Sequence, residues 1–310
     1  MKYLCLVLLL GCVTTEQDGE PAESEWVAAV TTCKTGSTGT WCTEDPPASA
    51  SSTLLHAVWA ASATDVFAAG DGGTILRRVN GTWTAMTSGT TANLRGIYGT
   101  SSSDVWAGGV GGALVHFDGT SWSTVSGPTA DIESVWASST TNAWFAGSGV
   151  VLHWTGSQFI TSNFSGLLSS VSGTSSSDVY VTGEAASVHH WNGSAWATMN
   201  PGAGSTYAAV LAIAANDAWV SDAMSGKQTV HWNGSTWTNY STGAAIFNGM
   251  SALSTSDIWG AGGRSIGHRT GGSWTVDSTS FPSASMWSVT TRPGDAWVVG
   301  AAGFIAHHTF

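Results

Sequence analysis

The feature that most constrains the fold of this chain is one phrase that recurs seven times between Leu55 and Phe310. A full copy reads Ala218-Trp219, then His231-Trp232-Asn233-Gly234, then Trp237. An acid or amide precedes the aromatic residue of every copy, at Asp65, Asp104, Asn142, Asp178, Asp217, Asp257 and Asp295. Self-similarity at a period of about 40 residues is typical of arrays in which each repeat packs on its neighbours.

Each copy divides into four short apolar runs separated by Gly, Ser, Asn and Asp. In the first copy these runs lie around Val58-Trp59, over 65–69, over 74–79 and from Trp83 onward. Such runs predict β-strands. The pairs Asn80-Gly81, Asp118-Gly119, Asn192-Gly193 and Asn233-Gly234 lie between the third and fourth runs. They predict tight primed hairpin turns with positive φ.

A four-stranded unit cannot cover both of its own faces, so neighbouring units must stack, and the twist of the sheets bends the stack into a ring. The sequence therefore predicts an all-β fold, a seven-bladed β-propeller. The last copy ends at Phe310 before its fourth strand, whereas Gly39-Thr40-Trp41 precedes the first copy alone. We expect this N-terminal strand to complete the last blade and to remove its open edge.

The N-terminus has the pattern of an export signal, with Lys2 followed by the apolar run Leu4 to Leu10. The run is too short to span a bilayer. Leu9-Leu10-Gly11-Cys12 resembles the lipobox of bacterial lipoproteins, which implies acylation of Cys12 by diacylglycerol and fatty acids such as palmitate. By the same resemblance, Asp directly after the anchor retains lipoproteins at the inner membrane, so Val13 at that position is compatible with sorting to the outer membrane. The alternative is an ordinary secretory signal that contains a cysteine.

These features predict three segments: a lipoprotein signal peptide over 1–11, an acidic flexible tether over 12–32 and the propeller over 33–310. The tether carries acids and few apolar residues, so it cannot bury enough surface to fold. With Cys5 in the signal and Cys12 acylated, Cys33 and Cys42 remain as a pair in an exported chain, and we expect a disulfide between them.

The composition restricts the partners of the protein. Only 9% of residues are charged, and the formal net charge is −11 with nine Lys and Arg. A nucleic acid or an anionic membrane surface needs clustered basic residues, so neither is the expected partner. We expect a monomer that contacts the membrane only through its N-terminal lipid, at the bacterial outer membrane or cell surface.

The repeated side chains are interpreted as packing before chemistry. Most tryptophans recur at equivalent places and are expected between the sheets, with a ring of sugar-stacking pockets as the alternative. One position carries His116, His153, His190, His231, His268 and His307, with Arg78 there in the first copy. Repeat spacing keeps these imidazoles too far apart for one metal ion, so each is expected to meet its repeat Asp or a backbone carbonyl. No metal, cofactor or catalytic residue is predicted.

One position varies where the rest repeat, two residues before the inner-strand Val. Its residues are His56, Arg95, Glu133, Ser169, Ala208, Asn248 and Trp287. In a propeller this position lies near the mouth of the central channel, together with the loops between second and third strands. The candidate binding residues are therefore His56, Arg95, Glu133, Asn248, Trp287, Asp71, Asp222 and Arg264. Neutral variation at exposed positions would give the same pattern.

The phrase Ser-x-Asp-Val-Trp followed by His-Trp-Asn-Gly-Ser-x-Trp is similar to repeats of bacterial exported propeller proteins, in the broad Asp-box, YVTN and WD40-like group. This chain departs from the Asp-box order, and the arginine triad of sialidases is not found, so sialidase activity is not implied. The leading hypothesis is a non-catalytic module that binds a ligand or protein. The alternatives are a lectin with glycan sites between blades and, third, a propeller hydrolase or lyase dependent on Glu133 or His56.

Overall fold

A computed structural model describes residues 31–310 except 128, 185–186, 203–205, 225–227 and 244. Thr31–Phe310 forms one compact unit. The predicted signal peptide, the predicted acylation site Cys12 and the predicted tether up to residue 30 lie outside the described residues. Across the described part of the chain, no helix has the length and apolar character needed to cross a bilayer.

The described ranges form β-strands joined by turns. The strands before the third copy are β1 (Cys33–Gly36), β2 (Gly39–Thr43), β3 (Leu55–Ser62), β4 (Asp65–Gly70), β5 (Ile75–Val79), β6 (Thr82–Met86), β7 (Leu94–Ser101), β8 (Asp104–Gly109), β9 (Leu114–Phe117) and β10 (Trp122–Thr124). The third and fourth copies form β11 (Ile132–Ser139), β12 (Asn142–Trp154), β13 (Phe159–Ser175), β14 (Asp178–Gly183), β15 (Val188–Trp191) and β16 (Trp196–Met199).

The last three copies form β17 (Tyr207–Ala214), β18 (Asp217–Asp222), β19 (Gln228–Trp232), β20 (Trp237–Ser241), β21 (Gly249–Ser254), β22 (Asp257–Gly262), β23 (Ser265–Thr270), β24 (Ser273–Asp277), β25 (Met286–Arg292), β26 (Asp295–Gly300) and β27 (Ile305–Thr309). Single 3₁₀ turns lie at Ala48–Ala50, Asp71–Gly73 and Val110–Gly112.

The strands follow the residues that the repeat provides. The second strand of a copy, such as β8 or β26, is buried at every position because neighbouring sheets cover both its faces. The fourth strand, such as β6, alternates exposed residues with a buried Trp83. Alternation of this kind is the pattern of a strand with one face toward water.

The strands pair into six antiparallel sheets within the described residues, so the prediction of seven separate blades is wrong. Five sheets hold one copy each, and the sixth joins the third and fourth copies through β12 and β13. β13 continues from the outer edge of one copy into the inner edge of the next, and Ser148 pairs with Leu167 across the junction. The physical reason is that β13 pairs with β12 on one side and with β14 on the other, so the backbone hydrogen bonds run without interruption from the third copy into the fourth. At the other junctions one sheet ends before the next begins.

The N-terminal strand closes the array, as predicted. β2 pairs with β27 through Cys42 with His307 and Thr43 with Ala306, and β1 pairs with β2 as an added outer strand. The predicted disulfide joins Cys33 to Cys42 across this hairpin. The sheet that contains the C-terminus therefore takes two of its five strands from the start of the propeller.

A polar network reinforces the seam between the last and first copies. Glu44, just after β2, accepts hydrogen bonds from Nε of Arg78 and from Nε1 of Trp83, each at 2.7 Å. The Trp83 ring meets Trp297 edge to face at 6.1 Å, and the Arg78 guanidinium lies 4.7 Å from the Trp297 ring. One carboxylate from the N-terminal segment thus ties the first sheet to the last.

The core lies between adjacent sheets. The ring of Trp59 packs on Gly99 of the next copy, where a Cβ would lie 2.8 Å from the indole, and Trp136 packs on Gly173 in the same way. Glycine at these positions allows close approach of the neighbouring backbone. The repeated tryptophans therefore hold one sheet against the next, as their recurrence predicts.

The hairpin turns are of two kinds, which corrects the prediction of primed turns throughout. Asn80 and Gly81 both have positive φ, at 49° and 93°, and form the two-residue turn expected of Asn-Gly. In the loops that begin at Asp118, Asn192 and Asn233, the side-chain oxygen instead accepts backbone N–H bonds two and three residues ahead. These longer turns use the Asp or Asn side chain as a local acceptor.

Candidate ligand-binding site

A central cavity of about 380 Å³ runs along the inner strands of the ring. Seven strand segments line it, one from each copy of the repeat: 56–60, 95–98, 133–136, 169–173, 209–212, 248–252 and 287–292. The fourth segment belongs to β13, the strand that joins two copies into one sheet. Every copy contributes to the cavity, although the sheets number six.

One end of the cavity, here called the mouth, is lined by His56, Arg95, Glu133, Ser169, Asn248 and Trp287. Five of these residues are candidate binding residues from the sequence, and the structure brings them together. Ser169 Oγ donates to the backbone oxygen of Tyr207 at 2.7 Å, so this member of the set is engaged within the fold. His56 and Asn248 also make hydrogen bonds within the fold, to Asp71 Oδ1 and to the backbone oxygen of Met286, which leaves Arg95, Glu133 and Trp287 as the side chains most available to a ligand.

The mouth contains two polar pairs and one exposed indole. Nε2 of His56 lies 2.8 Å from Oδ1 of Asp71, a loop acid that contacts the mouth through this histidine and does not itself line the cavity. Nε of Arg95 lies 3.6 Å from Oε2 of Glu133, beyond hydrogen-bond length, and it has no hydrogen-bond partner among the described residues. Trp287 is 37% exposed, and its ring meets His56 edge to face at 5.8 Å. This combination offers a ligand an apolar surface beside an ion pair in which Nε of Arg95 has no hydrogen-bond partner in the described part of the chain.

Two candidates do not join this group. Asp222 is fully buried at the end of β18, and its Oδ1 accepts a bond from the amide of Met224. Arg264 is exposed in the loop between β22 and β23 and is outside the lining of the cavity. The expectation that these varying loop residues lie at the mouth is therefore wrong for both, since Asp222 is buried at the end of its strand and Arg264 is exposed in a turn outside the cavity lining.

Hydroxyl groups in the cavity wall connect neighbouring inner strands, a feature that the sequence analysis missed. Ser134 accepts a bond from the amide of Val171 at 3.1 Å, and Ser170 accepts one from Val210 at 3.1 Å. Ser288 accepts one from Val58 at 3.3 Å across the seam. All three serines directly precede the inner-strand Val of their copies. A comparison of that position among the copies would have revealed them.

The end of the cavity opposite the mouth contains Arg292, whose Nη1 donates to the backbone oxygen of Ala60 at 2.9 Å. Tyr98 and Trp136 line the same end. Burial raises the pKa of the Tyr98 hydroxyl, against smaller lowering effects of a hydrogen bond with Trp136 and of the Arg292 charge. The Tyr98 hydroxyl is thus neutral at physiological pH, and Arg292 supplies the positive charge at this end.

The repeated histidines pair with the repeated acids, as predicted. Nε2 lies 2.6 to 2.8 Å from the Asp or Asn oxygen in all six copies that have the histidine. Each imidazole also stacks on the aromatic residue of β8 or its equivalent, as His307 does on Trp297 at 3.8 Å. Burial raises the pKa of Asp104, but hydrogen bonds from His116 and Thr100 outweigh it and leave that pKa below its usual value.

In the first copy the equivalent residue is Arg77 and not Arg78, which corrects the alignment. Arg77 pairs across the ladder with Phe67 and binds Asp65 in a bidentate ion pair at 2.8 and 2.9 Å. Arg78 points to the other face and bonds Glu44. The cause is the two-residue turn at Asn80-Gly81, which shifts the count by one residue relative to the longer turns.

The histidines are committed to separate partners, and no group of three metal-ligating side chains occurs among residues 31–310 as far as the structure describes them. His153 differs from the others because its partner is Asn142. Burial lowers the pKa of His153 below its ordinary 6.5, and burial is also the main cause of the lowered pKa of His308.

Tryptophan exposure bears on the glycan alternative. Of the tryptophans in the described ranges, only Trp287 is exposed, and it lies at the mouth and not between sheets. The half-buried indoles are Trp154, Trp191, Trp196, Trp232, Trp237 and Trp274. Three of these, Trp196, Trp237 and Trp274, lie in fourth strands, and they are only half-buried where the packing interpretation predicts full burial.

The ring of antiparallel sheets around a central cavity, closed by the N-terminal strand, defines a β-propeller with WD40-like blades. No protein-family model matches the chain, and no curated protein matches it in sequence. The structure is similar to that of YCF48 bound to D1 peptide, with a TM-score of 0.72 and 14% identity, over 87% of this chain and 97% of that one.

Two further solved structures show the same fold. The WD40 β-propeller domain of Doa1 has a TM-score of 0.72 and 13% identity, over 82% of this chain and 92% of that one. A catalytically inactive variant of virginiamycin B lyase from Staphylococcus aureus, with quinupristin, has a TM-score of 0.77 and 12% identity, over 87% of this chain and 99% of that one. At such low identities the similarity establishes the fold and not the function.

Proposed function

We propose that this protein is an exported binding module without catalytic turnover and that it takes a peptide or protein segment at the mouth of its central cavity. The observation that carries the proposal is that the same residue types recur within the sheets of all copies, whereas the residues at the mouth differ from one copy to the next. The Asp–His pairs recur around the ring, whereas Arg95, Glu133 and Trp287 each occur once, at the same end. Function on a repeat scaffold resides in the positions that break the repeat.

The size and chemistry of the mouth favour a narrow ligand. A cavity of about 380 Å³ is at the small end of ligand pockets, so a terminus or a side chain fits it and a folded domain does not. Exposed Trp and Arg are the residues that most often dominate binding energy at interfaces. Peptide binding by a propeller of similar structure, YCF48, supports this choice.

The same proposal includes the membrane anchor. The apolar run Leu4 to Leu10 and Cys12 support acylation, and Val13 supports a place at the outer membrane. The protein then acts as a monomer, held by lipid and related to bacterial lipoproteins with Asp-box-like repeats. Changing Cys12→Ser is expected to release the protein from the membrane fraction and to remove acyl groups from its N-terminal peptide in mass spectrometry. Retention of the variant in membranes would contradict the anchor.

Binding at the mouth is tested by selecting random peptides displayed on phage against the full-length protein and measuring the affinity of the selected peptides. Trp287→Ala and Arg95→Ala are expected to weaken binding at least tenfold and to leave the melting temperature unchanged. Ile160→Ala, which removes an exposed apolar side chain on the outer part of β13, is the matched control. Equal binding by wild type and both mouth variants would refute the proposal.

A further inference from the structure

The wall of the cavity has a regular hydrogen-bond pattern that is interrupted in four copies. The residue before the inner-strand Val is Ser134, Ser170 or Ser288 where the pattern is complete. Each serine accepts a bond from the backbone amide at the Val position of the following copy. Such amides lie on the edge of an inner strand, which has no ladder partner toward the cavity.

In the other four copies that position is Ala57, Gly96, Ala209 or Gly249. The amides that follow them in the ring belong to Ile97, Val135, Met250 and Val289, and no side-chain acceptor of the described residues reaches any of the four. The ladder register around Ile97 matches that around Val58, so its amide faces the cavity in the same way. These N–H groups are open to a molecule in the cavity.

Two of the open amides belong to the strand that carries Arg95 and to the strand next to it in the ring. Ile97 is in the same strand as Arg95, Val135 is in the neighbouring strand, and all three line the cavity. Gly96 keeps the Val135 amide uncovered, because a Cβ there would lie 2.9 Å from its nitrogen. A buried or half-buried donor without an acceptor costs free energy, so a ligand that supplies acceptors is favoured.

Resting on the proposed function, we propose that Arg95 and the amides of Ile97 and Val135 form a carboxylate-binding site, and that the ligand enters the mouth with a carboxylate group. A carboxylate has two acceptor oxygens, which suit a guanidinium together with backbone N–H groups. Among the described residues that line the cavity, Glu133 is the one carboxylate, and its Oε2 is too far from Arg95 Nε to saturate it. Arg292 adds a second positive charge at the opposite end.

The wild-type pattern provides the variants for the test. Ala57→Ser places a hydroxyl opposite the Ile97 amide, as Ser134 does for Val171, and Ala209→Ser does the same for Met250 on the other side of the ring. The first variant occupies a proposed donor, and the second is a matched control that leaves Arg95, Ile97 and Val135 untouched. Glu133→Gln removes the neighbouring negative charge and is expected to strengthen carboxylate binding.

The probes are succinate and random N-acetylated hexapeptides, prepared either with a free C-terminal carboxylate or as the C-terminal amide. Binding to the full-length protein is followed by the amide NMR shifts of Ile97 and Val135. We expect both carboxylate probes to shift these signals, Ala57→Ser to weaken binding at least tenfold, Ala209→Ser to leave it unchanged and Glu133→Gln to strengthen it about threefold or more.

The arms of this experiment separate the two proposals. Peptides that bind equally well as acid and amide, with Trp287 required, would overturn the carboxylate site and keep the proposed function. Succinate binding that Ala57→Ser weakens, without binding of any peptide, would support the carboxylate site, assign it to a small acid and overturn the peptide proposal. Equal effects of Ala57→Ser and Ala209→Ser, or no shift at Ile97 and Val135, would overturn the site.

Discussion

Replacement of Trp41 by alanine tests whether the N-terminal strand holds the propeller closed. Trp41 is fully buried although it lies in the short strand β2, which makes only two register pairs with β27. Its ring meets Trp259 edge to face at 5.6 Å and stacks on His308 at 5.2 Å. The indole therefore attaches β2 more firmly than the ladder does.

The magnitude follows from the buried surface. A fully buried indole removes about 150 to 250 Å² from water, a gross gain of roughly 4 to 6 kcal/mol at about 25 cal/mol per Å². Ordering of the side chain offsets part of this gain. Measured truncations of buried aromatic residues cost about 3 to 5 kcal/mol, and we expect Trp41→Ala to lower the free energy of unfolding by that amount. Trp237→Ala, at a half-buried indole, is expected to cost about half as much.

The assay is urea unfolding followed by circular dichroism, with hydrogen exchange to locate the effect. Amides of β25 to β27 are expected to exchange faster in Trp41→Ala, while those of β17 to β20 remain as protected as in the wild type. The reasoning is refuted if Trp41→Ala costs no more than Trp237→Ala, or if faster exchange spreads evenly over all sheets. Either result would mean that closure does not depend on the N-terminal strand.

Three further predictions concern the seam and the repeated pairs. Cys33→Ser is expected to cost about 2 to 3 kcal/mol, because the bond closes a short loop with a sequence separation of 9; the same loss in wild type under reducing conditions, but none in the variant, would confirm the cause. Ser288→Ala leaves the Val58 amide without its acceptor and is expected to cost about 0.5 to 1.5 kcal/mol, against no loss for the exposed Ser283→Ala; equal urea midpoints would contradict the role of the hydroxyl. Burial lowers the pKa of His153, so the unfolded chain binds a proton at this histidine more tightly than the folded protein does. This histidine therefore costs no folding free energy above pH 6.5, and the free energy of unfolding decreases as the pH falls from 6.5 toward the pKa of the folded state. Asn142→Asp is expected to raise the pKa of His153 in NMR titration and to reduce that loss between about pH 6.5 and 5; an unchanged titration would refute the account.

The repeat itself predicts much of the fold. The strands of the first copy, the closing strand that contains Trp41, the Cys33–Cys42 bond and the histidine–acid pairs all follow from residues that recur or that lack a partner within their own copy. These features depend on local pattern and on the need to bury both faces of each sheet. They are therefore recorded in residue types and in their spacing.

The count of sheets and the alignment of Arg77 depend on hydrogen bonds that the pattern does not contain. Whether the third and fourth copies share a ladder is decided by a few linking residues around Gly166, and nothing in their composition distinguishes them from a loop. The arginine shift arises from a turn that is two residues shorter than the turn that begins at Asp118. Residue spacing alone cannot choose between adjacent arginines on a strand.

The candidate site was partly predictable. Variation at one repeat position locates Arg95, Glu133 and Trp287 at the mouth, but it gives no sign that Asp222 is buried. The open amides were missed because they belong to the backbone. Their only trace in the sequence is the residue before the inner-strand Val of the preceding copy, which is serine where the amide has an acceptor and alanine or glycine where it has none among the described side chains.

Because the final sheet combines β2 with β25 to β27, this sheet cannot be completed before β27 has been synthesised. Until then β2 has no ladder partner other than β1, and the indole of Trp41 lacks its stacking contact with His308. A premature stop that removes only the last strand would therefore be expected to prevent the whole propeller from closing. A circular permutant that places β1 and β2 directly after β27 is expected to form this sheet from one contiguous segment.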